Sequence, residues 1–224
     1  MEYSIFSICT ENYKDAYDFA IGSWLQKTKA NITIYSDAQW PVKSPRVQIK
    51  KIFSKSSDWG TNICRKAQAS KEAFKEGKNL AFVDMDCWLR GDLGHVFEKD
   101  FDLAATKLER KGNVSTGVYF YRNNDKAKKF MDLWERKVKS LKNFGNRSKR
   151  PLDQVTFSKT IEESKNMTII DVGAPKYNRK ISDTKRNPKQ IKELENDNPI
   201  VLHFYNKSYL NNANVSEVFG ALCR

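Results

Sequence analysis

The stretch "NLAFVDMDCWLRG" at residues 79–91 runs an apolar strand directly into two aspartates with one methionine between them. Carboxylates brought together repel each other and lose hydration as they leave water, so Asp84 and Asp86 need a reason to stand at the end of a buried strand. In an open α/β sheet that reason is positional, because ligands bind beyond the carboxyl ends of the strands. Residues i and i+2 of an extended segment project to the same side, which predicts that both carboxylates face one point while Met85 turns towards packing. Hard oxygen ligands placed in this way suit magnesium, manganese or calcium, and such a cation can take a diphosphate on its far side.

Working outward, "YSIFSIC" (3–9) is a first strand, followed by Tyr13, Ala16, Tyr17, Ala20, Ile21, Trp24 and Leu25 on one face of a helix. "NITIYSD" and "RVQIKKIF" supply the next two strands. Thr61 is placed to cap a helix with Ile63, Ala67 and Phe74 inside, ending near Gly77. Strand and helix alternate through the first hundred residues or so, predicting an α/β fold with a mostly parallel sheet covered on both sides. Further on, "FDLAATK" and "VSTGVYFY" are strands, and Ala127, Phe130, Met131, Trp134, Val138 and Leu141 form a helical stripe. A short helix at 152–161, strands near 167–172 and 199–204, and a last helix from about 215 complete the prediction.

The length of 224 residues suits one domain, with halves at 1–110 and 111–224. No run of apolar residues is long enough to cross a membrane, and "MEYSIFSICTENYKDAY" meets charge too early for a signal peptide; the expected location is the cytoplasm. Cysteines at 9, 64, 87 and 223 lack metal or disulfide spacing, which predicts free thiols. The formal charge of +13 fits a polyanionic partner, an anionic membrane surface touched peripherally, or a phosphate-bearing substrate. Much of it falls at 136–150 and 176–192, stretches that suit solvated surface, a binding rim for an acidic acceptor or lipid headgroup, or a nucleic-acid patch. Only two histidines are present, and His203 ends the apolar strand "PIVLHFYNKS", where an imidazole could complete a metal shell and Lys207 could hold a diphosphate as a point charge. His95 is expected to be a surface or structural residue.

Four short motifs, in order, resemble those of nucleotide-sugar-dependent glycosyltransferases of the GT-A fold, closest to the retaining galactosyltransferase and glycogenin type. "TENY" looks like the nucleotide-binding turn, which implies that Thr10, Asn12 and Tyr13 contact the base and ribose, with Tyr13 stacked on uracil. "DMD" matches the metal motif; the resemblance implies Mn2+ or Mg2+ on Asp84, Asp86 and His203, with a UDP-sugar as donor and a glycan or glycoprotein as acceptor. "PLDQVTF" matches an aspartate–glutamine pair beside the donor sugar, implying catalytic roles for Asp153 and Gln154, although Asp153 also suits a helix N-cap. "LHFYNKS" looks like the closing histidine and lysine.

The resemblance also implies that Arg65 faces the donor sugar and phosphate, that Asp37 contacts the nucleoside, and that Gly117 lets backbone approach the ligands. Where the family has asparagine, alanine and glycine, this chain has Ser115, Thr116 and Gly117, and its closing motif is shorter. A sugar-nucleotide pyrophosphorylase on a related fold would need a glycine-rich first loop, and "TENYKD" has no glycine. A basic nucleic-acid-binding protein would account for the charge, but no zinc-finger spacing, RNA-recognition signature or basic aromatic helix is present, so no nucleic acid is expected.

Overall fold

The structure, a computed structural model, describes residues 2–56, 59–107, 113–141, 152–181, 194 and 196–204. The predicted Lys207 and the helix from about 215 lie outside the described residues. A seven-stranded sheet has the order β3-β2-β1-β4-β7-β6-β8. Its strands are β1 (Tyr3–Cys9), β2 (Asn31–Ser36), β3 (Val47–Lys51), β4 (Asn79–Val83), β6 (Leu103–Lys107), β7 (Val114–Tyr121) and β8 (Ile169–Asp171). Only β7 runs against its neighbours, so the α/β, mostly parallel sheet read from the sequence is the one observed.

Alternation along each strand divides the core. Ile5, Ile32, Ile34, Ala81, Val83, Val118 and Phe120 face helix α1 (Lys14–Lys27). Phe6, Tyr35, Leu80, Phe82, Tyr119 and Tyr121 face a layer made by α2 (Trp59–Phe74), α3 (Asp125–Ser140) and α4 (Leu152–Glu163). Helix α3 buries the stripe that its spacing predicts, and Asn124 caps it by accepting from the Ala127 N–H. The Asn124 amide also donates to Asp102, tying the cap to the sheet. Thr61 is not a cap, because α2 has already begun at Trp59.

The sequence did not signal a second, three-stranded sheet of β5 (Cys87–Leu89), β10 (Val201–Phe204) and β9 (Arg179–Ile181), with β10 in the middle. A short helix α5 (Ala174–Tyr177) leads into it. Its outer face closes with Phe19, Trp88, Ile181, Leu202 and Phe204. Because β1 lies between β2 and β4, the connections diverge there, and this is the switch point at which an open sheet leaves a crevice. Among the described residues, no helix is long and apolar enough to cross a membrane.

Trp134 is fully buried, donates its indole N–H to Thr156 and meets Phe157 edge-on, so the α3–α4 layer rests on it. Trp134→Ala is expected to cost about 3–5 kcal/mol. Urea unfolding should show this as a lower midpoint with the slope unchanged.

Candidate active site

Strands β1, β2 and β4 deliver Thr10, Asp37 and Asp84 to one end of the sheet. After β4 the chain does not stay extended: the Cys87 N–H donates to the Asp84 carbonyl, closing a turn that leads into β5. The two carboxylates converge all the same, by a different route from the strand alternation expected. Asp86 Oδ1 lies 3.1 Å and Asp84 Oδ2 3.9 Å from His203 Nε2. Strand β10 puts the histidine there, pairing His203 with Cys87 and donating the Phe204 N–H to the Asp86 carbonyl.

The orientation of His203 is fixed from behind. Its Nδ1 is 2.7 Å from the Asn178 Oδ1, while the Asn178 amide group donates to Thr106 and Ser115. The amide therefore presents its oxygen to the ring, Nδ1 donates to it, and Nε2 faces the two carboxylates. That arrangement is repulsive unless a proton or a metal ion lies between. Two carboxylate oxygens and a held imidazole, with an amide as outer partner, are a donor set that fits Mn2+ or Mg2+.

Gly117 serves this histidine. A Cβ at Gly117 would lie 2.6 Å from His203 Cε1 and 2.7 Å from Nδ1, so the space expected to admit a ligand is filled by the ring. The departures Ser115 and Thr116 are also in use: the Ser115 hydroxyl accepts from Asn178, and the Thr116 hydroxyl donates to Asp153 Oδ2 at 2.6 Å.

Sequence reasoning missed Lys66. From the middle of α2 its buried ammonium donates to Asp84 Oδ2 at 2.7 Å and to the Thr116 carbonyl at 3.2 Å, and lies 3.4 Å from Asp153 Oδ2. Burial opposes the charge on Lys66, but Asp84 and Asp153 outweigh it and hold its pKa above the ordinary lysine value. Burial pushes Asp84 up to about 6 against the pull of Lys66, and repulsion from Asp86 adds to the rise. Two carboxylates, Asp84 and Asp153, thus share one ammonium, while Asp86 stands against His203, leaving negative charge that a divalent cation would balance.

Asp153 is the second residue of α4 and is turned inward, so it is not the N-cap; its Oδ1 is buried with no hydrogen-bond partner among the described residues. Gln154 beside it is half-buried. Arg65 is expected at the donor sugar and phosphate, and the structure shows its contacts with protein groups. One residue along a helix turns the side chain by about 100°, and Arg65 packs on Phe53, donates to the Ser54 carbonyl and reaches Asp37 at 3.5 Å. Asp37 in turn accepts from the Glu11 N–H, pinning the turn Glu11–Tyr13 that contains Asn12. Thr10 is buried, with its hydroxyl unpartnered among the described residues. Tyr13 stands near the carboxylates: burial, then Asp86 and Asp84, raise its hydroxyl above the usual tyrosine range. His95 pairs with the Tyr177 hydroxyl.

No protein-family model and no curated protein matches the sequence. The fold is that of known glycosyltransferases. The apo structure of the bifunctional glycosyltransferase WbbM superposes with a TM-score of 0.61 at 10% identity, covering 92% of this chain and 46% of the other. The apo form of glycosyltransferase GlyE from Streptococcus pneumoniae TIGR4 gives 0.60 at 11% identity, over 92% of this chain and 55% of the other. The chain therefore spans about half the length of these structures.

Two variants test the geometry. Gly117→Ala should displace His203 and weaken Mn2+ binding by about tenfold or more, as loss of an orienting contact does, with calorimetric titration as the readout. Lys66→Met strands Asp84 and Asp153 and should lower stability by about 3–5 kcal/mol. Added Mn2+ should raise the thermal midpoint of this variant more than that of the wild type.

Proposed function

We propose that the chain transfers a sugar from a UDP-sugar to a hydroxyl of a glycan or glycoprotein, with retention at the anomeric carbon, using Mn2+ or Mg2+ held by Asp84, Asp86 and His203. The observation that carries this reading is the convergence of both DMD carboxylates on a single oriented imidazole, at the switch point of a sheet shared with glycosyltransferases. The cation would neutralise charge building on the departing diphosphate.

The chain's own residues divide the remaining work. Thr10, Asn12, Tyr13 and Asp37 lie at the ends of β1 and β2, where the base and ribose would sit; Arg65 would act from behind by holding Asp37. Asp153 and Gln154 would line the sugar, and Lys207 would close on the diphosphate. In the transfer, the bond from the anomeric carbon to the phosphate oxygen breaks and a bond to the acceptor oxygen forms, while the acceptor's proton passes to the departing phosphate. Asp153 is held by the Thr116 hydroxyl and the Lys66 ammonium, which lowers its nucleophilicity. That favours a role in steadying positive charge on the sugar ring, from a carboxylate whose buried Oδ1 has no hydrogen-bond partner among the described residues.

Calorimetry with UDP, with and without Mn2+, tests the reading. UDP should bind only with the metal, and Asp86→Ala should weaken binding by about tenfold or more. Slow hydrolysis across a panel of UDP-sugars and GDP-sugars would name the donor. Metal-independent UDP binding, or tight oligonucleotide binding unchanged by Asp86→Ala, would overturn it.

A further inference from the structure

The turn that joins β4 to β5 brings a thiol to the cation site. Cys87 is the cross-strand partner of His203, and paired residues on adjacent antiparallel strands share a face. One ligand atom each from Asp86, Cys87 and His203 lie within 4.8 Å of one another. The segment is fixed, since the Cys87 carbonyl accepts the Trp24 indole N–H at 3.1 Å and its N–H is held by Asp84. Cys87 is fully buried. Cys9 lies against the Thr10 and Tyr13 carbonyls.

An oxygen, a nitrogen and a sulfur at these separations form a donor set different from the hard set of Asp84, Asp86 and His203. Zinc-class cations take thiolate at about 2.3 Å and imidazole or carboxylate at roughly 2.0–2.2 Å, and three protein ligands leave one position open. Magnesium and manganese take oxygen and do not seek sulfur. The 3.1 Å between Asp86 Oδ1 and His203 Nε2 is already close to the span of two ligands on one small cation.

We propose that Cys87 is a third protein ligand, so that Asp86, Cys87 and His203 together bind thiophilic divalent cations of the zinc class in competition with manganese. On binding, the sulfur–hydrogen bond breaks, a metal–sulfur bond forms and the proton leaves to solvent; no oxidation is involved. The same Asp86 and His203 cannot serve both cations at once, so zinc displaces manganese rather than adding to it. The inference shares with the proposed function only the premise that these two residues face a cation.

The test is titration of the full chain with Cd2+ in the absence of nucleotide, reading thiolate-to-cadmium charge-transfer absorption in the ultraviolet. One equivalent should develop the band, and Cys9→Ser, Cys64→Ser and Cys223→Ser should each keep it. Cys87→Ser should abolish the band and weaken Cd2+ binding by at least the roughly tenfold that loss of an outer-shell partner brings. If Cys87→Ser does not fold, His203→Gln, which retains the thiol, must weaken cadmium binding by a similar factor. No band in the wild type, a band that survives Cys87→Ser, or unchanged affinity in His203→Gln overturns the proposal. The readout needs neither UDP nor sugar, so failure to bind UDP with the band intact would fault the transferase reading alone.

Discussion

Carboxylates in a protein interior stay ionised side by side only if positive charge is brought to them, and in this chain Lys66 brings it. The ammonium touches Asp84, the Thr116 carbonyl and Asp153, which belong to the end of β4, to β7 and to α4, while the lysine itself stands on α2. One charge thus joins four elements at the point where the parallel and antiparallel parts of the sheet meet. Burial makes this costly by itself, and the mutual attraction offsets the cost only because the geometry is close. Phe82 beneath the ammonium adds a cation–π contact without competing for its hydrogens. Apolar replacement of the whole set would be compatible with the fold; keeping it charged makes sense where the charge is used.

The second constraint is one of shape. His203 reaches the carboxylates because β10 lies on β5 in a register that places it over Gly117, where any side chain would collide with the ring. Asn178 then accepts from the ring's Nδ1, and Ser115 and Thr106 fix Asn178. The small sheet therefore works as a bracket: its own core is a handful of side chains, and its product is the direction of one ring nitrogen.

Much of the main sheet was legible because it rests on local signals. The run "NLAFV" before two aspartates, the three-and-four spacing of α1 and α3, and the β-branched and aromatic residues of β7 each announce themselves within a dozen residues or so. Asp84, Asp86 and His203 were also legible, since carboxylates at a strand end and a scarce histidine at another strand end are unusual placements. Lys66 was not, because one lysine among 40 basic residues carries no local mark, and its role depends on a helix phase that separates it from Arg65. Asn178 and Cys87 were missed for a related reason: β5 and β9 are three residues each, and short strands paired only with a distant partner leave no periodicity to find. The hydroxyls of Ser115 and Thr116 looked like losses relative to a family pattern, whereas the structure gives each a bond to a residue of the site.

The charge distribution connects the basic chain to its acidic centre. The protein carries +13 overall, yet Asp84 and Asp153 outnumber the one ammonium between them, and Asp86 stands close by against His203. Beyond about 8 Å, salt screens these individual groups from an approaching anion. Within the crevice a bare diphosphate meets carboxylates. On the proposed function this imposes an order, since the site admits a diphosphate only after a cation has neutralised the carboxylates. Selectivity for a metal-bound donor over free phosphate then begins with the excess of carboxylates over lysine in the crevice, before Lys207 closes on the diphosphate.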